Sequence, residues 1–156
     1  MPKLQHGETN VVRFQSNRSS CGPAALHNAL AALGINRTED ELIALAGQTV
    51  DGTSPKGLVK AIKAITSPET PLSGTSFSTK DAEAATVGLW WNVGHLGRPV
   101  VLCVDQFEHW VACVGYLGRR FQVVDSADNR LLISYTEQAL LERWAAPNGG
   151  YYGIIV

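Results

Sequence analysis

Three residues carry the chemistry open to this sequence: a cysteine at a helix entrance, a histidine before an apolar run and an aspartate closing the next run. Cys21 lies in Gln15-Ser-Asn-Arg-Ser-Ser-Cys21-Gly-Pro-Ala-Ala-Leu26, where polar capping residues give way to an apolar helix. His109 precedes Trp110-Val-Ala-Cys-Val-Gly115, and Asp125 closes Phe121-Gln-Val-Val-Asp125. A cysteine attacks as its thiolate, which is scarce at neutral pH for a free thiol of pKa about 8.5. A helix N-terminus and a neighbouring imidazolium both favour the anion. An imidazole takes the thiol proton, and a carboxylate on its far nitrogen fixes the tautomer and the ring direction. Gln15, six residues before Cys21, offers a side-chain amide that, with the Cys21 backbone amide, can stabilise an oxyanion. These residue types in this order point to attack of a thiolate on a carbonyl.

The pattern resembles the bacterial C39-like peptidases, a family with a papain-like fold that includes the double-glycine leader peptidases. The resemblance rests on Gln15-x5-Cys21-Gly-Pro-Ala-Ala-Leu, on Gly52-Thr-Ser-x-x-Gly57-Leu58, and on His109-x15-Asp125 following Arg98-Pro-Val-Val-Leu-Cys103. It implies that Cys21 is the nucleophile, His109 the general base, Asp125 its orienter and Gln15 the oxyanion-hole donor. It also implies a peptide or protein substrate cut after small residues such as Gly-Gly. In this family the orienting Asp is commonly followed by Pro, whereas Ser126 follows here, which leaves Asp128 as a second candidate. The same triad would serve a transglutaminase-like acyltransferase, because the first half-reaction is shared. A third reading is a peptidase-like module that holds a peptide without cutting it; the complete set of Gln15, Cys21, His109 and Asp125 argues against it.

The remaining chemistry-bearing residues read as structural. Cys103 and Cys113 sit inside apolar strand patterns and belong to a core. Cys103, His109 and Cys113 have a C-x5-H-x3-C spacing that matches no common zinc finger and lacks a fourth ligand, so no metal and no cofactor are expected. His6, His27 and His95 have no partner pattern, and His27 falls within the first helix. Trp90, Trp91 and Trp110 read as core or cleft wall. Asn148-Gly-Gly150 reads as a turn.

The elements that must position these residues follow from periodicity. Ser19 or Ser20 caps a helix from about Cys21 to Leu33, apolar on nearly every side and therefore central. Thr38 and Glu41 form a capping box for a second helix that Gly47 ends. Ser54 caps a third, with Pro55 at its first position, reaching Ile65. Residues Ser67 to Ser78 form a loop with a short strand at its end, and a fourth helix runs from Lys80 to about Asn92. The second half turns to short runs of β-formers, predicting strands at Val100–Val104, Trp110–Tyr116, Arg120–Val124, Leu131–Ser134 and Tyr151–Val156. Turns are expected at Leu117-Gly118 and Asp128-Asn129, and a helix at Thr136–Trp144. The expected architecture is α+β, a helical lobe whose central helix packs on a C-terminal antiparallel sheet, in one domain over residues 1–156.

Composition bounds the rest. At 156 residues, 45% hydrophobic and 17% charged, the chain is long and apolar enough to bury a core. A formal net charge of -1 argues against an electrostatic grip on nucleic acid or an anionic membrane. No apolar run reaches membrane-spanning length and the start lacks a signal core, so no membrane segment or transporter domain is expected. Three cysteines, an odd number, give no disulfide framework and suit a cytoplasmic location. Oligomeric state is not legible.

Overall fold

A computed structural model describes residues 21–47, 52–128, 130 and 132–156 of the chain. Helix α1 (Cys21–Ala32) is buried from Cys21 through Ala31, as expected for a segment apolar on every side. Leu26 and Leu30 are 0% exposed, and each such side chain contributes about 1.5–3 kcal/mol relative to leaving it in water. His27 is buried with its Nδ1 against the Arg37 carbonyl, a satisfied core histidine. The serines expected to cap this helix, Ser19 and Ser20, lie outside the described residues.

Helix α2 (Glu39–Ala46) begins on the predicted pair, with Thr38 as N-cap and the Glu41 carboxylate on the Thr38 hydroxyl. Thr38 Oγ1 accepts the Glu41 N–H at 3.1 Å and donates to Glu41 Oε1 at 3.3 Å. Gly47 ends it in the left-handed conformation, at φ 69°. Helix α3 (Pro55–Ile65) starts on Ser54, whose hydroxyl accepts the Gly57 N–H at 3.0 Å. Gly57 lets α3 approach α2 closely: a Cβ there would stand 2.3 Å from the Ala46 carbonyl oxygen.

A six-stranded antiparallel sheet occupies the rest, from β1 (Thr75–Thr79), β2 (Val100–Val104), β3 (His109–Leu117), β4 (Arg120–Val124), β5 (Leu132–Thr136) and β6 (Tyr151–Ile155), in the order β1-β6-β2-β3-β4-β5. Strands β2 to β5 form a meander, and β6 returns between β1 and β2. The hairpin turn between β3 and β4 is Gly118-Arg119, both at positive φ (59° and 63°), one residue later than expected. Two positive φ values match the right-handed twist of the flanking strands.

Both faces of the sheet are covered. Val101, Cys103, Trp110, Ala112 and Ile154 pack on α1, α2 and α3. Val100, Leu102, Val111, Cys113 and Val123 alternate to the other face, against Ala85 and Leu89 of α4 (Ala82–Trp90) and Leu140 and Trp144 of α5 (Glu137–Trp144). The fold is therefore the expected mixture of helices and antiparallel sheet, with α4 and α5 as a further layer behind it. Helix α4 is capped by Asp81, whose Oδ1 accepts the N–H groups of Glu83 and Ala84, and continues into a π-helical turn, Trp91–His95.

Candidate active site

Cys21 occupies the first described position of α1, with its thiol turned toward β3. Gly22 packs closely on its neighbours: a Cβ there would stand 3.1 Å from Thr53 Cβ, 3.4 Å from Leu58 Cδ2 and 3.5 Å from Trp110 Cδ1. The His109 ring and the backbone of Trp110 and Gly22 stand close enough to the sulfur to favour its anion. Burial alone would raise the thiol pKa. The hydrogen bond from His109, the two amides and the charge of the imidazolium outweigh it, and the Cys21 pKa falls below the ordinary cysteine value.

His109 begins β3, and Asp125 follows β4 directly. The register that sets Ala112 opposite Val124 brings the two ends together across sixteen residues of chain. His109 Nε2 lies 2.7 Å from Asp125 Oδ1, and the two side chains are 12% and 4% exposed. With Nε2 committed to Asp125, Nδ1 is the nitrogen left for the thiol. Burial would lower the His109 pKa, but the hydrogen bonds to Asp125 and Cys21 and their negative charges push it up to about 9. Burial likewise opposes ionisation of Asp125, and the His109 hydrogen bond and the Ala127 N–H at 3.0 Å hold its pKa below the usual carboxylate value. A depressed thiol beside an elevated imidazole is the signature of a thiolate-imidazolium pair.

The other two thiols behave differently. Cys103 lies on the α1 face of the sheet and Cys113 on the opposite face. Burial pushes each up to about 12, so both stay protonated near neutrality. They do not converge on one point with His109, and among the described residues no cluster of His, Cys, Asp and Glu could hold a metal ion.

Asp128, the second candidate partner for His109, is engaged elsewhere: its carboxylate pairs with Arg130 at 3.0 and 2.8 Å. That ion pair lowers its pKa to about 2. Gln15 lies outside the described residues.

One further group belongs to this site and no sequence motif marks it. Arg143, in the last turn of α5, lies 2.9 Å from Asp125 Oδ2 and donates to both oxygens of Asp105 at 2.9 and 2.8 Å. Asp105 opens the turn between β2 and β3, in which Asp105, Gln106 and Phe107 all have positive φ (53°, 58° and 71°). The left-handed region costs a residue with a Cβ roughly 1–2 kcal/mol, so three in succession require firm holding. Only the bulk of long-range pairing reveals Arg143, since 38 residues separate it from Asp105.

An apolar groove of about 360 Å³ is walled by Cys103, Trp110, Phe107, Tyr152, Phe77 and Ile154, and it adjoins the candidate site through Trp110, the residue after His109. Phe107, at the tip of the left-handed turn and 49% exposed, packs on Tyr152 with ring centroids 5.2 Å apart. A larger cavity of about 490 Å³ opens elsewhere, between α4, α5 and Tyr116, and contains neither thiol nor histidine. No helix among the described residues is long and apolar enough to cross a membrane.

Comparison with known proteins agrees with this architecture. The peptidase domain of Streptococcus ComA, described as a bi-functional ABC transporter involved in a quorum-sensing pathway, superposes with a TM-score of 0.67 at 17% identity, over 92% of this chain and 96% of that domain. A double-glycine-motif protease from an AMS/PCAT transporter, solved in complex with its leader peptide, superposes with a TM-score of 0.64 at 16% identity, over 93% and 91%. At these identities the likeness is one of fold, that of the C39 peptidase domains. Two uncharacterized archaeal proteins match in sequence over a shorter stretch. That of Methanothermobacter thermautotrophicus is 51% identical over 51 residues, 33% of this chain, and that of Methanothermobacter marburgensis is 47% identical over 55 residues, 35% of this chain. The chain spans only 36% and 38% of those relatives' lengths. The sequence model of the Peptidase_C39 like family matches residues 8–151, nearly the whole length, and the chain belongs to that family.

Proposed function

We propose that this protein is a cysteine peptidase that hydrolyses a peptide or isopeptide bond through a thioester, with Cys21 as nucleophile, His109 as general base and acid, and Asp125 as orienter of the imidazole. The observation that carries the reading is the chain of contacts from Cys21 to His109 to Asp125, in which one thiol of three is shifted toward the thiolate.

The thiolate attacks the substrate carbonyl carbon, and the carbonyl electron pair moves onto oxygen. Collapse of the tetrahedral species breaks the C–N bond as the His109 imidazolium gives its proton to the leaving amine. Water, deprotonated by the now neutral imidazole, then attacks the thioester and releases the acid, returning the thiolate and the imidazolium. The Gln15 side-chain amide and the Cys21 backbone N–H are assigned to the oxyanion, each donor contributing about 3–4 kcal/mol to the transition state.

The groove walled by Trp110, Phe107 and Tyr152 fits an apolar side chain of an extended peptide, and the family resemblance assigns small residues, such as Gly-Gly, next to the cut. The AMS/PCAT protease is solved in complex with the leader peptide, and a peptide ligand is assigned to this chain on that likeness. The free thiols fit a cytoplasmic location, and residues 1–156 are read as one peptidase domain.

The test is cleavage of a peptide carrying Gly-Gly before the cut against one carrying bulky residues there, with and without an added amine. Acid products from the Gly-Gly peptide, absent in Cys21→Ala, are expected. Amide products with the amine would assign acyl transfer instead, and equal cleavage of both peptides would remove the preference for small residues.

A further inference from the structure

Arg143 touches both carboxylates that flank His109. Its Nε and Nη2 donate to the two oxygens of Asp105, the same Nη2 lies 2.9 Å from Asp125 Oδ2, and Nη1 donates to the Tyr135 hydroxyl at 3.0 Å. Its backbone carbonyl accepts the Asp105 N–H at 3.1 Å. The turn that Asp105 opens is also closed by the Glu108 N–H on the Asp105 carbonyl, and the next residue is His109. The planar guanidinium therefore meets the two pieces of backbone from which His109 and Asp125 project.

We propose that Arg143 is a positioning residue: its fork holds the left-handed turn leading into His109 and, at the same time, turns the Asp125 carboxylate so that Oδ1 faces the imidazole. The inference rests on the assignment of Cys21, His109 and Asp125 given above. Asp125 has one oxygen on His109 and the Ala127 N–H and the other on Arg143. Without the guanidinium, Oδ2 loses its cation in a side chain only 4% exposed, a setting that favours protonation or rotation of the carboxylate. Lysine, a point charge without a fork, cannot serve both carboxylates in this geometry. Arg143 is absent from the walls of the apolar groove, so it acts through Asp125 and Asp105.

The groups that face this cluster are Cys21 on α1, Cys103 on β2, Asp105 in the turn, His109 on β3, Asp125 after β4 and Tyr135 on β5, with Asp128 and Arg130 at longer range. Two roles for Arg143 predict opposite signs. If it only supplies positive charge near the imidazole, its removal leaves Asp125 in place and raises the His109 pKa. If it orients Asp125, its removal deprives the imidazolium of its acceptor and lowers that pKa.

The experiment is a titration of the His109 imidazole by nitrogen-15 NMR in the full chain, in wild type, Arg143→Met, Arg143→Lys and Asp105→Asn, beside the pH dependence of Cys21 alkylation and a thermal melt. The expected result for Arg143→Met is a His109 midpoint lower by one pH unit or more and alkylation at pH 6 slowed about tenfold, with partial recovery in Arg143→Lys. Asp105→Asn, which frees the turn but spares the Asp125 contact, is expected to show a smaller shift of the same sign. An unchanged or raised His109 midpoint in Arg143→Met, whatever the melt, overturns the proposal. Should that variant not fold, an unchanged midpoint in Asp105→Asn overturns it. An ordinary thiol titration at Cys21 in the wild type would instead defeat the peptidase reading, while the His109 midpoints would still decide the role of Arg143.

Discussion

His109 Nε2 and Asp125 Oδ1 lie 2.7 Å apart in a setting almost withdrawn from water, with one side chain 12% and the other 4% exposed. Screening there is weak, so this contact and the neighbouring thiol together set the protonation of the imidazole. The pH dependence of activity follows from it.

The kcat/KM profile should be bell-shaped. The alkaline limb reports loss of the imidazolium proton and is expected near pH 9, where His109 titrates. In His109→Ala, hydrolysis of a Gly-Gly peptide should fall by about 10²–10⁴. A wild-type alkaline limb near 6.5 would show that the imidazole is not paired as described.

Stability should carry the same signature. His109 has a folded pKa of about 9 against 6.5 for the free side chain. Its contribution is therefore fully present below pH 6.5 and is lost as pH rises through 9. The melting temperature of wild type minus that of His109→Ala should be larger at pH 6 than at pH 10, measured by thermal denaturation in one ionic strength. A difference that grows with pH would reverse the assignment.

The three thiols should separate by reactivity. A haloacetamide at pH 6.5 is expected to label Cys21 and leave Cys103 and Cys113, both near 12 and buried, until the protein is denatured. Peptide mass mapping locates the label. In His109→Ala, labelling of Cys21 at this pH should fall toward that of an ordinary thiol.

Gln15→Ala should lower kcat by about 10²–10³ with little change in KM, because an oxyanion donor acts on the transition state and not on the bound substrate. Steady-state kinetics on the Gly-Gly peptide decide this. A rise in KM alone would make Gln15 a binding residue.

Gly57→Ala should destabilise the fold by about 1–3 kcal/mol, since its Cβ would meet the Ala46 backbone oxygen at 2.3 Å. Denaturant unfolding gives the value. Unchanged stability would mean that α2 and α3 separate readily.

Local chemistry was the legible part of this chain. The Thr38 N-cap, the Ser54-Pro55 start and the Gly47 stop are each written within four residues, and the structure contains all three. Strands β2, β4 and β6 fall within a residue of expectation, and His109 and Asp125 come together as their order suggested. The misses have distinct causes. Val100-Val-Leu-Cys-Val104 is apolar without alternation, the pattern of a strand covered on both faces, and it implied the layer made by α4 and α5. The π turn after Trp90 breaks the helical period that carried the fourth helix to Asn92. The hairpin turn falls one residue later than Leu117-Gly118 because Arg119 takes a positive φ that its residue type does not advertise. Arg143 meets Asp125 and Asp105 only after α5 docks, and no sequence spacing encodes that meeting.

Strand β6 lies between β1 and β2, with Thr75 opposite Ile155 across eighty positions of chain. On a ribosome, the β2 to β5 meander can pair as soon as it emerges, since each hairpin is local. Strand β1 has no neighbour until β6 arrives, and the β2 edge stays bare in the meantime. Tyr152, Gly153 and Ile154 of β6 also wall the apolar groove that includes Trp110. A nascent chain stalled before residue 151 would carry the thiol, the imidazole and the carboxylate but lack one wall of the groove, which is complete only once β6 has paired.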